Sequence, residues 1–322
     1  MRAMRLTRLD GPSALELAEV PEPAGAGQLV VAVHAAGVGF PDLLMSRGRY
    51  QFRPEPPFIP GVEMAGVVHQ SPEGSPFAIG DRVAASAPLG SWAEYAIAAP
   101  PATFSIPAGM SFEQATALVN YQSAYFGLIE RGLAITGETV LIHGSAGGVG
   151  SAAVDISSAL GLRTIAVARG EQKLTTAKEL GANHCLDADS DWLSEVKALT
   201  DGDGVDLVFD PVGGDGFLNS VRALGAGGRL LVIGFASGII PEVKVNRLLL
   251  RNSAVVGVAW GEFVRHDPTM PQRIATSLAE LWDDRKINPL VGATYPLEQA
   301  ADALGEIEGR RAIGKVVLTI RH

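Results

Sequence analysis

The pattern of apolar and polar positions changes near residue 115. Before that point, the short apolar runs "QLVVAVHAAGV", "EMAGVVHQS", "DRVAAS" and "WAEYAIAA" alternate with glycine and proline. Runs this short, closed by turn-forming residues, predict a compact β-rich domain. After it, apolar runs and amphipathic stretches take turns, the rhythm of parallel strands joined by crossover helices.

Read in order, "TVLIHG" is a strand, followed by a glycine-rich loop and a helix to about Leu160. "RTIAVAR" is a second strand, and "EQKLTTAKELGA" a helix stopped by Gly181. "HCLDA" and "SDWLSEVKALT" give a third strand and its helix, and "GVDLVFDPVGG" and "DGFLNSVRALG" a fourth pair. "GRLLVIG" and "SAVVGVAW" supply the fifth and sixth strands. Six strands in this rhythm make a complete doubly wound α/β fold of the Rossmann type. From Gly261 onward, helices around "MPQRIATSLAELWDD" and "LEQAADALGEI" lead to a strand-like "GKVVLTI". That last strand has no place in a finished six-strand sheet, so the chain is expected to return to its first domain. The division expected is residues 1–120 with 262–322 around a dinucleotide-binding domain at 121–261.

The loop "HGSAGGVG" fits two glycine registers. In one, Ser145 stands in for the first glycine of a GxGxxG; in the other, Gly144, Gly147 and Gly150 carry the turn. In either, Gly147 lets the backbone approach a pyrophosphate and Gly150 lets helix and strand pack closely. The helix N-terminus then offers N–H groups to the anion. A NAD site of this kind usually has Asp or Glu about 20 residues further on, for the ribose hydroxyls. Here Ala168 holds that place, with Arg169 next and Lys173 beyond it. Two cations suit a 2′-phosphate, so the site favours NADPH. Arg169 reads equally as a solvated surface charge, and Glu171 offsets the pair in part.

Composition narrows the partners. A chain of 322 residues with 47% hydrophobic and 19% charged residues is long enough for two domains and has the make-up of a soluble globular protein. No apolar run approaches the roughly 20 residues of a membrane helix, and "MRAMRLTRLDGPSALEL" lacks a signal-peptide core, so a cytoplasmic protein is expected. The net charge of −9 argues against nucleic acid or an anionic membrane as partner. The single cysteine, Cys185, excludes an intrachain disulfide and reads as buried filler. His34 and His143 interrupt apolar strands and read as satisfied core or edge residues.

Taken together, "HAAGVGFPDLLMSRGRY", "PFIPGVEMAGVV", "GDRV", "GSWAEYAIA", the "SAGGVG" loop, "FDPVGG", "LLVIGFASG" and the closing "GKVVL" resemble the zinc-free medium-chain dehydrogenase/reductases. Within them the chain is similar to the NADPH:quinone oxidoreductases related to zeta-crystallin, nearly end to end. The resemblance implies a β-rich, GroES-like catalytic domain built from both chain ends around a Rossmann domain. It also implies a homodimer joined through the sixth strand. Zinc-dependent relatives carry Cys within "GVCxxD" and His within "GHE". Here those positions are Gly39 and Val62, which offer a metal no donor. Glu63 follows and is expected to bond backbone at the base of a cleft.

Carried over by motif, Ser145, Ala146, Gly147, Gly148 and Val149 would line the pyrophosphate, and Lys173 would reach the 2′-phosphate, with Arg169 added on its charge. Val212, Gly234 and Phe235 would flank the ribose and nicotinamide, Ser123 would lie near the carboxamide, and Arg310 would reach the cofactor from the C-terminal segment. Tyr50 matches a tyrosine beside the nicotinamide pocket; read from its residue type alone, it is as well a packing residue with a solvated hydroxyl. Phe40 is a cleft wall or a core residue. Two positions depart from the pattern. Gly39 replaces an asparagine of many quinone reductases, and Ala188 replaces a tyrosine near the adenine end.

With no metal donors and no Ser-His-Asp arrangement, hydride transfer is the chemistry left. The expected substrate is a small quinone or enone held in an apolar pocket, where proximity does most of the work. Quinones need little acid assistance, whereas an enone needs protonation at its α-carbon, for which Tyr50 is the candidate. Two alternatives stay open. One is a 2-enal or enoyl-thioester reductase, for which Arg47, Arg49 and Arg53 would form a basic mouth. The other is a non-catalytic NADPH-binding structural or interaction protein, favoured by the change at Gly39.

Overall fold

In a computed structural model, which describes residues 1–25 and 27–321, the chain divides into two units. Unit 1 comprises 1–119, 269–276 and 289–322; unit 2 comprises 120–268 and 277–288. Where the sequence expectation draws the return at 262, the chain re-enters unit 1 at Thr269 and makes one more excursion before settling there.

The strands in chain order are β1 (Arg2–Leu6), β2 (Leu15–Glu19), β3 (Leu29–Val38), β4 (Glu63–Gln70), β5 (Arg82–Ser86), β6 (Tyr95–Ala98) and β7 (Thr103–Ser105). There follow β8 (Thr139–His143), β9 (Arg163–Ala168), β10 (His184–Asp187), β11 (Val205–Asp210), β12 (Leu224–Val232) and β13 (Ala254–Gly257). The last two are β14 (Val291–Pro296) and β15 (Lys315–Thr319).

Unit 1 is built on a sheet ordered β14-β15-β3-β4-β5-β7, with β6 also paired to β3. The strand "GKVVLTI" that had no place in the parallel sheet lies here: β15 pairs antiparallel with β3 and parallel with β14. Strand β3 is central and buried along nearly its whole length, which explains why its apolar run is almost unbroken. Trp92 fills the core beside it and donates its indole N–H to the Gly37 carbonyl at 3.0 Å.

Unit 2 holds a six-stranded, all-parallel sheet ordered β10-β9-β8-β11-β12-β13, the order of a complete dinucleotide-binding fold. Its interior strands are short runs of fully buried Val, Leu, Ile and Ala, as parallel strands covered on both faces require. The strand order reverses between β8 and β11, so the crevice at their C-terminal ends is the place for a ligand in this architecture. The helix Gly148–Ala159 that leaves β8 is anchored by Asp155, which accepts from the Tyr121 hydroxyl at 2.5 Å and the Asn288 N–H at 2.8 Å.

The short β1–β2 pair and the helix Leu118–Tyr125 lay outside the predicted pattern. Strand β12 begins earlier than "GRLLVIG" suggests, taking in "LGA". No helix among the described residues is long and apolar enough to cross a membrane.

Candidate functional site

The glycine loop resolves its two sequence registers. Gly144 has φ +58°, a left-handed conformation that favours glycine. A Cβ on Gly150 would run into the Gly144 carbonyl oxygen, so helix and strand can meet only if position 150 has no side chain. Gly147 opens the helix Gly148–Ala159 as its N-cap. The working register is therefore Gly144, Gly147 and Gly150. Ser145 is fully buried; its N–H and hydroxyl both donate to the Val167 carbonyl, at 3.2 and 3.1 Å. It ties the loop to β9 rather than presenting its hydroxyl to a pyrophosphate. Ala146 is buried beside it, and the half-exposed residues of the loop are Gly144, Gly147, Gly148 and Val149. The first helical turn supplies unpaired backbone N–H groups, a built-in anion site.

The neighbouring strand ends converge on the same loop. Buried Asp210 accepts the N–H groups of Val212 at 2.8 Å and Gly213 at 2.9 Å, bending "DPVGG" back over the sheet. This brings Val212 against Gly144, where a Cβ would lie 3.3 Å from Val212 Cγ2. Phe235 lies over Gly213, its Cδ1 3.0 Å from the Cβ position there. Gly234 precedes it, close to the Pro211 carbonyl. The structure thus brings Val212, Gly234 and Phe235 together with the glycine loop at the C-terminal ends of β8, β11 and β12. Ser123 sits half-buried on the helix Leu118–Tyr125 of the same unit.

At the end of β9, Ala168 is buried where an acid would stand for NAD. Arg169 is exposed and held by a bidentate pair with Asp189, at 2.7 and 2.8 Å. That pair raises the guanidinium's pKa and lowers that of the Asp189 carboxyl. Asp189 was not foreseen; its place two residues after β10, opposite the end of β9, is the signal that would have found it. Lys173 is half-buried on the helix Glu171–Glu179, and burial, then Arg169, pull its ammonium pKa down. Ala188 packs against the core of unit 2, filling the tyrosine position with a small apolar side chain.

The remaining candidates belong to unit 1. Tyr50 is half-buried just after the helix Phe40–Ser46, and its carbonyl accepts from Arg53 Nε at 3.1 Å. Phe40 packs against the unit 1 core. Arg310 is exposed, with φ +54°, directly after the helix Ala300–Glu308. Arg47 is bound to Glu308 at 2.5 Å and to the Asp10 carbonyl at 3.0 Å.

Beneath Gly39 lies a buried charge cluster. Glu63, at the start of β4, pairs with the Lys315 ammonium at the start of β15, correcting the expectation that it would bond backbone. Their side chains are 7% and 3% exposed. Gly37 has no room for a Cβ because the Glu63 carboxylate and the Lys315 stem occupy that space. Asp42, also buried, accepts the N–H of Gly39 at 2.9 Å and that of Gly61 at 3.2 Å. Two carboxylates face one ammonium, and burial, then the Glu63 charge, push the Asp42 carboxyl up to about 7. Among the described residues no group of three or more His, Cys, Asp or Glu side chains is arranged to hold a metal.

Comparison with known proteins agrees with this architecture. Residues 25–108 match the family model described as an alcohol dehydrogenase GroES-like domain, and residues 148–279 the one described as a zinc-binding dehydrogenase. A quinone oxidoreductase-like protein 2 homolog of Nematostella vectensis is 35% identical over 327 residues, covering 100% of this chain and 89% of that protein. The crystal structure of a probable oxidoreductase from Mycobacterium abscessus is 40% identical with a TM-score of 0.91, covering 99% of each chain. The quinone oxidoreductase of Thermus thermophilus, solved alone and with NADPH, is 35% identical with a TM-score of 0.86, covering 99% of this chain and 100% of that one. The chain belongs to the medium-chain dehydrogenase/reductase superfamily, within its quinone oxidoreductase-like family.

Two outcomes follow from the geometry. Gly150→Ala forces a methyl into the Gly144 carbonyl and is expected to lower unfolding free energy by about 2–3 kcal/mol. Gly147→Ala, whose Cβ would sit 3.4 Å from that carbonyl, should cost less than about 1 kcal/mol in the same denaturant titration. Equal losses would show that the close approach is not the constraint.

The second outcome concerns Asp42. Its raised value in the fold stabilises the chain most at acid pH, a contribution lost as pH rises from the ordinary 3.8 through about 7. Asp42→Asn lacks that slope, so relative to wild type it should gain the equivalent of about 2–3 kcal/mol between about pH 5 and about pH 8. Parallel stability curves would contradict a buried, protonated Asp42.

Proposed function

We propose that this protein is a zinc-independent, cytoplasmic oxidoreductase that uses NADPH to reduce a quinone or a related conjugated carbonyl compound. The observation that carries the reading is the glycine loop: a helix N-terminus opened by Gly147, pressed against β8 at Gly150, with no acid at Ala168. A pyrophosphate fits the N–H groups of this turn, and an acid at position 168 would repel a 2′-phosphate that Ala168 tolerates. NADPH, when bound, supplies the hydride that the acceptor takes up.

The chain's own residues then have distinct tasks. Gly148 and Val149 bring backbone N–H groups to the pyrophosphate, while Gly147, whose own N–H donates to the Gly144 carbonyl at 2.9 Å, leaves room for its approach. Lys173 faces the 2′-phosphate; a dianion there restores the charge stabilisation that burial removes from its ammonium. Val212 and Phe235 form apolar walls beside the loop, which favours a flat conjugated acceptor. Tyr50 is the catalytic candidate for delivering a proton where the acceptor is an enone, and Arg310 is the candidate contact from the C-terminal segment. The zinc-independent part rests on residue chemistry, since neither Gly39 nor Val62 carries a donor atom in its side chain. An enoyl thioester is a weaker reading, because Arg47 of the supposed basic mouth is engaged by Glu308.

The same reading includes a homodimer. Strand β13 pairs with β12 on one side, and its other edge pairs with no strand among the described residues. Beside it, Val245, Leu249 and Leu250 are 74%, 76% and 79% exposed. An apolar patch next to an open strand edge suits a second copy that extends the sheet across a two-fold axis.

The test of the chemistry follows oxidation of NADPH or NADH with 1,4-benzoquinone, a 2-enal and crotonyl-CoA as acceptors. Quinone turnover with NADPH preferred is expected, and Lys173→Glu should lower kcat/KM for NADPH by about tenfold or more, ~1.4 kcal/mol, with NADH little changed. Turnover of crotonyl-CoA alone would overturn the quinone reading, as would tight NADPH binding without turnover of any acceptor. For the assembly, sedimentation should give a dimer for wild type and a monomer for the Leu249→Asp, Leu250→Asp double variant; a wild-type monomer at micromolar concentration refutes it.

A further inference from the structure

The helix Leu118–Tyr125 passes beside the glycine loop and carries a polar side chain that the chain itself leaves unsatisfied. Asn120 Oδ1 is shielded from solvent and has no hydrogen-bond partner among the described residues. Its amide lies close to Gly148. A Cβ at that glycine would meet Oδ1 at 3.3 Å, Cγ at 3.6 Å and Nδ2 at 3.7 Å. Gly148 is the first residue of the helix and part of the half-exposed turn that faces a pyrophosphate.

A buried, unpaired amide oxygen is unfavourable, and an Asn side chain is easily replaced by an apolar one of similar shape. The other buried side-chain oxygens without partners among the described residues are Ser157 Oγ in the helix Gly148–Ala159, Thr164 Oγ1 in β9, Ser91 Oγ ahead of β6 and Ser253 Oγ just before β13. The Asn120 oxygen differs in touching the turn that the proposed cofactor would occupy. Oδ1 is an acceptor, so its partner must be a donor. The phosphates of a dinucleotide carry only acceptors at neutral pH; the sugar next to them carries hydroxyl groups.

Building on the NADPH reading, we infer that Asn120 is a cofactor-contact residue whose Oδ1 accepts a hydrogen bond from a ribose hydroxyl of the dinucleotide. Gly148 is then glycine for a second reason besides access to the pyrophosphate: it leaves the Asn120 amide room to lie across the turn. The ligand class is a nicotinamide dinucleotide, and the residue adds to affinity without touching the transferred hydride.

The experiment measures NADPH binding by protein fluorescence and the thermal midpoint without ligand, for full-length wild type, Asn120→Leu and Asn120→Asp. Asn120→Leu removes the unpaired acceptor and keeps the shape. It should melt no lower than wild type while binding NADPH about tenfold or more weakly, and Asn120→Asp, which sets a negative charge beside the pyrophosphate, should bind more weakly still. Should Asn120→Leu fold poorly, Asn120→Ala takes its place in the comparison. NADPH affinity within about twofold of wild type for the folded variant overturns the assignment of Asn120 alone. A wild type that binds neither NADPH nor NADH overturns the nucleotide reading and this assignment with it.

Discussion

The carbonyl oxygen of Gly144 and the α-carbon of Gly150 occupy adjoining space, and the geometry of unit 2 follows from that contact. It lets the helix start directly against the end of β8, so its N-terminus opens at the crevice where the strand order reverses. Because Gly144 turns in the left-handed region, the chain clears the sheet in few residues, and Val212 can close over it from β11. Ser145 then fastens the loop to β9 through the Val167 carbonyl. A wider turn would separate these three strand ends and leave the helix dipole aimed at nothing in particular.

Unit 1 is organised by a different constraint, the burial of charge. Lys315 and Glu63 join β15 to β4 across β3, and Asp42 holds the Gly39 and Gly61 loops by their N–H groups. Buried ions of this kind contribute little net stability, because desolvation offsets much of their attraction. They do fix register: β15 cannot slide along β3 without uncoupling its lysine from the carboxylate on β4. The backbone around Gly39 is thus held from outside, by the Asp42 carboxyl, although position 39 has no side chain.

Much of this was legible in the sequence, for identifiable reasons. Six parallel strands announce themselves because each is a short apolar run bounded by a helix of clear amphipathic period, and Gly150 is fixed by local chain geometry. The site was less legible wherever a role depends on residues far apart in sequence. Lys315 reads as an ordinary charge in "GKVVL" until β15 is placed beside β3, 252 positions from its partner Glu63. That the Ser145 hydroxyl turns to the Val167 carbonyl is likewise invisible in the motif, which fixes position but not the direction of a side chain. Asp189 and Asn120 belong to no motif. Asp42 sits in "GVGFPD", where its capping of Gly39 is visible in principle, whereas the burial that pushes its carboxyl up is not.

The adenine end shows how such long-range pairing changes a charge argument. In the sequence, Arg169 and Lys173 read as two cations for a 2′-phosphate. In the fold, Arg169 is already matched by Asp189 through two hydrogen bonds, so the pair brings a phosphate little net charge. Lys173, the other cation of the proposed 2′-phosphate site, is half-buried, and its ammonium is disfavoured there by desolvation and by Arg169. An anion placed beside it is attracted by a charge that solvent screens less than an exposed lysine's. Under the proposed function, selectivity for a phosphorylated ribose leans on Lys173 and on the absence of an acid at Ala168, while Arg169 and Asp189 form a surface clasp between the ends of β9 and β10.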